Sequence, residues 1–94
     1  MDKRQLVTAA ARRSSLSRAQ MHDALDALLE TISEALVAGE TVALSAFGRF
    51  EVQEYPGRRL RRFGAPGHFV VEGRRVPVFR SSAALRRRLR EDGR

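Results

Sequence analysis

The chain changes its hydrophobic period once, near residue 40, and that change divides it. Before it, apolar residues recur every three or four positions, the spacing of one helix face. Leu6, Val7 and Ala10 predict a first helix, capped by Asp2 and ending near Arg13-Ser14. Ser17-Arg-Ala-Gln20 forms a capping box: the Ser hydroxyl accepts from the third helical N–H, and Gln reaches back to the cap. The second helix runs to about Ala38, with Met21, Leu25, Leu28, Leu29, Ile32 and Leu36 on one stripe and Asp23, Asp26, Glu30 and Glu34 on the other side. So broad a stripe buries against more than one neighbour. Gly39 supplies a left-handed stop.

From Glu40 the period is 2. Val42 and Leu44 alternate with polar or small residues, Ala46-Phe47-Gly48 makes a tight turn, and Phe50 and Val52 continue the alternation, which predicts a hairpin. Its second strand runs on into a segment with a different character. Residues 55–75 carry arginine pairs at Arg58-Arg59, Arg61-Arg62 and Arg74-Arg75, with Leu60 and Phe63 among them and Gly64-Ala-Pro66-Gly67 as a turn signal. A stretch so basic builds no core of its own. It predicts a two-stranded arm that orders against a polyanion. His68 to Val71 has strand character and Gly73 marks a bulge or bend. Val76-Pro77-Val78-Phe79 returns as a third strand, where Pro77, lacking an N–H, belongs on an edge or at a bulge. Ser81 or Ser82 caps a last helix from Ala83 to about Arg90, with residues 91–94 frayed.

The class is α+β, in the order α-α-β-β-arm-β-α, on a single domain over residues 1–94. Residues 1–38 form a helical base, 40–54 and 76–80 the sheet, 55–75 the arm and 82–90 the last helix. A chain of 94 residues buries only roughly 60–65% of its unfolded surface. Setting the arm aside leaves a core that is marginal alone, so oligomerisation is expected.

Charge sharpens the picture. Residues 1–54 hold six Lys/Arg against eight Asp/Glu, and residues 55–94 hold twelve Arg against three acids. The halves therefore carry −2 and +9, within a net +7. A solubilising surface would not sort the signs this sharply; a polyanion facing the C-terminal half does, and nucleic acid is the commonest one. All cations but Lys3 are arginine, whose planar fork pairs bidentately with phosphate and enters a narrow minor groove. GC-rich coding would give the same bias.

Other chemistries find little support. There is no cysteine, and His22 and His68 form no ligand cluster. His22, Asp23 and Asp26 lie on the polar face of a helix rather than in a catalytic arrangement. No glycine-rich phosphate loop follows a strand. The N-terminus goes straight into an amphipathic pattern and is no signal peptide, and no apolar run nears the ~18 residues of a membrane span. The sequence predicts an intracellular, cytoplasmic protein that is not an enzyme, with no cofactor, metal, membrane partner or small-molecule substrate.

The order of elements, with Asp2-Lys3, Leu16-Ser17-x-x-Gln20, Gly39-Glu40, Ala46-Phe47-Gly48-Arg49-Phe50, Val76-Pro77-x-Phe79 and Ala84-Leu85, closely resembles the HU/integration host factor family of bacterial DNA-bending proteins over residues 1–90. The resemblance implies an intertwined dimer, with helices of both chains as the base, a saddle of two sheets, and two arms wrapping the DNA minor groove. It implies a nucleoid-associated protein that bends and compacts double-stranded DNA. A homodimer is the default and a heterodimer the alternative. The core shared by the two chains would comprise Leu25, Leu29, Ile32, Leu36, Leu44, Phe47, Phe50 and Phe79. Lys3, Arg58, Arg59, Arg61, Arg62, Arg74, Arg75, Arg80 and Arg86 would meet phosphates, releasing counterions and reading no sequence.

One departure falls at the arm's apex. The family usually carries Arg-Asn-Pro there, its proline wedging between base pairs; this chain has Arg61-Arg62-Phe63, with Pro66 three residues on. Both residue types serve as wedges. Position favours Phe63, while the turn context makes Pro66 a turn former. The last helix also departs, with Ser82-Ala83 where the family prefers Gly followed by Lys, so one phosphate contact is lost or passes to Arg86. The arm has no Asn and its only Gln, Gln53, lies at its base, which predicts weak sequence specificity. An RNA-binding module using the same arm, and a sequence-specific subunit like integration host factor, are the alternatives.

Overall fold

Two helix starts are written into the sequence as reciprocal side-chain caps, and both form. The computed structural model describes residues 1–61 and 67–92. Asp2 Oδ1 accepts from the Gln5 amide at 2.9 Å while Gln5 Oε1 accepts from the Asp2 amide at 2.9 Å, which opens α1, Lys3–Arg12. Ser17 and Gln20 repeat the exchange at 3.1 and 2.8 Å and open α2, Arg18–Val37. Each box satisfies two of the orphan donors of a helix start. Gly39 ends α2 with φ +84° and donates its amide to the Leu36 carbonyl at 2.9 Å, a left-handed cap that glycine adopts without steric cost.

Residues 1–35 make one compact unit and residues 36–94 another. In the first, Val7 is 2% exposed and is the only buried hydrophobic side chain among the described residues of the chain. The stripe on α2 is open by comparison: Leu25 and Ile32 are half-buried, and Leu28 and Leu29 are exposed.

The second unit is built on a three-stranded antiparallel sheet of β1, Val42–Leu44, β2, Gly48–Tyr55, and β5, Arg74–Ser81, in the order β1-β2-β5. A separate two-stranded ladder pairs β3, Arg58–Arg61, with β4, His68–Val71. The second hairpin strand therefore does not run unbroken into the arm. Pro56-Gly57 on one side and Glu72-Gly73 on the other interrupt both strands at one level. The two glycines are in close backbone contact there: a Cβ on Gly57 would lie 2.9 Å from the Gly73 nitrogen, and one on Gly73 3.0 Å from the Gly57 nitrogen. Gly73 thus belongs to a paired gap rather than to a bulge in one strand. The third strand is longer than Val76–Phe79 because Arg74 and Arg75 pair with Tyr55 and Glu54. Pro77 sits opposite Val52 on the edge strand, the position in a sheet that a residue without an N–H favours.

The hairpin turn places its strain elsewhere than its glycine. Ala46 takes φ +62°, with the Phe47 amide donating to the Leu44 carbonyl at 3.0 Å. Gly48 has no positive φ; it is buried, and the close approach of its neighbours leaves no room for a side chain, since a Cβ there would fall 2.6 Å from the Phe79 ring and 2.5 Å from the Arg80 carbonyl oxygen. Phe79 in turn meets Phe50 at 5.1 Å and Phe47 at 5.3 Å between ring centroids, both tilted by 47°, a favourable aromatic geometry.

Helix α3, Ala83–Asp92, extends past the predicted end, so Glu91 and Asp92 are helical rather than frayed. Ser82 is its cap, accepting from the Leu85 amide at 3.0 Å, while Ser81 remains in β5. The Ser82 amide donates to the Phe47 carbonyl at 2.9 Å and ties the helix start to the hairpin turn.

Candidate nucleic-acid interface

Alternation along paired strands assigns each residue of the sheet to a face. Val42, Leu44, Phe50, Val52, Pro77 and Phe79 share one face; Arg49, Glu51, Gln53, Tyr55, Arg74, Val76, Val78 and Arg80 share the other. The apolar face is open: Leu44, Phe47 and Phe79 are 41–46% exposed, and Phe50 is half-buried. With Leu25, Leu29, Ile32 and Leu36 on α2, every residue expected in a shared core retains exposed surface in the single chain.

The polar face is organised by charge. Arg49 and Arg80 are cross-strand partners, and Glu51 accepts from Arg49 Nε at 3.0 Å and from Arg80 Nε. The Arg80 hydrogen bond, then that of Arg49, holds the Glu51 carboxyl below its ordinary range. At the sheet's far end the Arg74 guanidinium lies 4.6 Å from the centre of the Tyr55 ring, a cation–π contact between directly paired residues.

In the arm, the register is Arg58↔Val71, Arg59↔Val70, Leu60↔Phe69 and Arg61↔His68. Arg58 therefore shares a face with Leu60, Phe69 and Val71, and Arg59 shares the opposite face with His68 and Val70. Arg58 and Arg59 are exposed. Arg62, Phe63 and Pro66 lie outside the described residues.

The remaining predicted cations have internal partners. Arg75 donates to the carbonyls of Leu36 and Val37, both at 3.2 Å, and lies 3.7 Å from Glu54. Arg86 donates to the Ser81 carbonyl and to Ser81 Oγ. In the first unit, Lys3 pairs with Asp26 at 2.5 Å, and His22 lies 3.4 Å from the same carboxylate. That bond from Lys3 holds Asp26 below its ordinary range. The structure thus gathers Arg58, Arg59 and Arg74 at the arm and its base, and Arg80 and Arg86 at the other end of the sheet. Sequence reasoning missed Arg49 and Glu51, although the period-2 pattern already put them on one face. Among the described residues no group of three or more Asp, Glu or His is placed to hold a metal, and no helix is long and apolar enough to cross a membrane.

Residues 1–90 match the family described as bacterial DNA-binding protein. The chain is 36% identical over 86 residues to the DNA-binding protein HU of Geobacillus stearothermophilus, covering 92% of this chain and 96% of the relative. It is equally similar to HU-beta of Serratia marcescens. Among solved structures, an Anabaena HU–DNA cocrystal structure superposes with a TM-score of 0.79 at 35% identity, covering 95% of this chain and 97% of that one. HU from Thermotoga maritima superposes with a TM-score of 0.68 at 29% identity, over 95% of this chain and 98% of the other.

Proposed function

Since the chain belongs to the family of bacterial DNA-binding proteins that includes HU, a family of architectural proteins rather than enzymes, we propose that it is a nucleoid-associated protein that grips duplex DNA with little sequence specificity. Residues 1–94 act as one DNA-binding domain, completed by a second copy of the chain. The observation that carries this is the arm: a two-stranded ladder whose exposed Arg58 and Arg59 stand on opposite faces, in a segment too basic to build a core of its own. Arg58, Arg59, Arg61, Arg62 and Arg74 supply phosphate contacts in the minor groove. Counterions released from DNA then provide most of the affinity.

The exposed stripe on α2 and the exposed phenylalanines around Phe79 support a homodimer, in which the partner's equivalent surfaces cover them. Two arms presented by one body would bend the duplex, with Phe63, or Pro66 in its place, unstacking a base step at each tip. The unstacking costs a few kcal/mol, offset by contacts that the bent duplex permits.

Binding to several unrelated duplexes, and to structured RNA of equal length, across a salt series tests the proposal. Similar affinities for all duplexes, falling steeply with salt, are expected. A strong preference for one DNA site that survives high salt, or for RNA, would overturn it. Bend angles from fluorescence transfer with Phe63→Ala and Pro66→Ala identify the wedge.

A further inference from the structure

Consecutive residues of a strand point to opposite faces, so the sheet divides the pair Arg74-Arg75. Arg75 directs its donors into the molecule, to the carbonyls of Leu36 and Val37 and toward Glu54. Arg74 meets a different kind of partner. Its guanidinium carbon lies 4.6 Å from the centre of the ring of Tyr55, the residue paired with it across β2 and β5. An aromatic ring attracts the flat face of a guanidinium, whereas the N–H donors lie in the plane and point outward from its edge. A carboxylate partner, as Glu51 is for Arg80, takes those donors; an aromatic partner leaves them open. Both residues are exposed, Tyr55 by 45%. They form the last rung of the sheet, directly before the gap at Pro56-Gly57 and Glu72-Gly73, beyond which the arm ladder starts at Arg58.

We propose that Tyr55 is a positioning residue for DNA binding: its ring holds the Arg74 guanidinium by the face, donor edge outward, at the junction where a duplex passes onto the arm. The role rests on the DNA-binding function proposed above and gives Tyr55 no phosphate contact of its own. An arginine side chain loses rotamer freedom when it is fixed against a ligand. Where a ring already restricts it, that loss falls on folding rather than on binding. Stacking and phosphate binding use different parts of the group, so Arg74 keeps the ring while its edge bonds to phosphate oxygens. The gain in affinity does not exceed what the ring contact contributes, a factor of roughly two to five at an exposed site. Tyr55 therefore tunes affinity, while Arg74 supplies the charge and with it the salt dependence.

Duplex affinity across a salt series for wild type, Tyr55→Phe, Tyr55→Leu, Arg74→Gln and Tyr55→Leu/Arg74→Gln tests this. Tyr55→Leu is expected to bind roughly two- to fivefold more weakly, with an unchanged slope of log affinity against log salt. Tyr55→Phe keeps the ring and should bind like wild type. Arg74→Gln should make the slope shallower by about 0.9, and in that background Tyr55→Leu should have no further effect. Undiminished affinity in Tyr55→Leu, an equal loss in both backgrounds, or a loss in Tyr55→Phe as large as in Tyr55→Leu would overturn the role. Nuclear magnetic resonance of the wild type gives a reading that depends on no variant. The Arg74 side-chain protons should carry an upfield ring-current shift in the free protein and keep it when duplex is added; its disappearance on binding would also overturn the role. A wild type that binds no duplex would remove the DNA-binding function and this role with it. Binding that depends on Arg58 and Arg59 but is indifferent to Tyr55→Leu would remove the role alone.

Discussion

The guanidinium of Arg75, on the edge strand, donates to the main-chain carbonyl of Leu36, thirty-nine residues earlier in the chain, and with a second bond to Val37 it closes the C-terminal end of α2. The last carbonyls of a helix have no partner within it and carry the negative end of its dipole. A cation there contributes about 0.3–1 kcal/mol. Arg75→Met is therefore expected to lower stability by about that amount in urea unfolding. It should change the salt dependence of DNA binding less than Arg58→Gln does.

Ala46 is the one non-glycine residue with positive φ among those described. An L side chain in that region costs roughly 1–2 kcal/mol, partly offset because glycine gives the unfolded chain more freedom. Ala46→Gly should raise stability by about 0.5–1 kcal/mol, seen as a higher melting temperature with an unchanged circular dichroism spectrum.

Gly48 has the opposite constraint. A methyl group there meets the Arg80 carbonyl oxygen and the Phe79 ring at 2.5–2.6 Å, so either the edge strand or the aromatic cluster must shift. Gly48→Ala is expected to cost about 1–3 kcal/mol, the usual penalty of overpacking. Unfolding in denaturant measures it directly.

Acid should weaken the fold through two carboxylates. Glu51 is depressed by Arg80 and Arg49, and Asp26 by Lys3 and then His22. A carboxyl depressed in the folded state contributes stability that is complete above its unfolded value and is lost as pH falls through the folded one. Denaturant midpoints at low salt should be flat between about pH 5 and 7, then decline below the ordinary values of 4.5 for Glu51 and 3.8 for Asp26. Glu51→Gln should make that decline shallower. Added salt should mute it, because both pairs face solvent.

Much of this molecule is legible in its sequence because the signals are local. Ser17 and Gln20 announce a helix start, Gly39 its end, and the switch of period after Glu40 the sheet. What escaped reading depends on register, which links residues far apart. Ser82 rather than Ser81 is the cap because β5 extends through Ser81. Nothing near Arg75 in the chain indicates that α2 ends beside it, so its bond to Leu36 was invisible. The Arg49–Glu51–Arg80 cluster needed the pairing of β2 with β5 to appear. The double break at Gly57 and Gly73 likewise needed both strands at once. Composition located the cationic arm, and only the fold separated its cations from those with internal partners.

Whether the arm grips DNA through its phosphates is read from duplex binding against salt, for the wild type and for the Arg58→Gln/Arg59→Gln double variant. A steep loss of affinity with salt is expected in the wild type, and in the variant a slope shallower by about 0.9 for each phosphate contact removed, on every duplex alike. An affinity and slope unchanged by neutralising both arginines would contradict it.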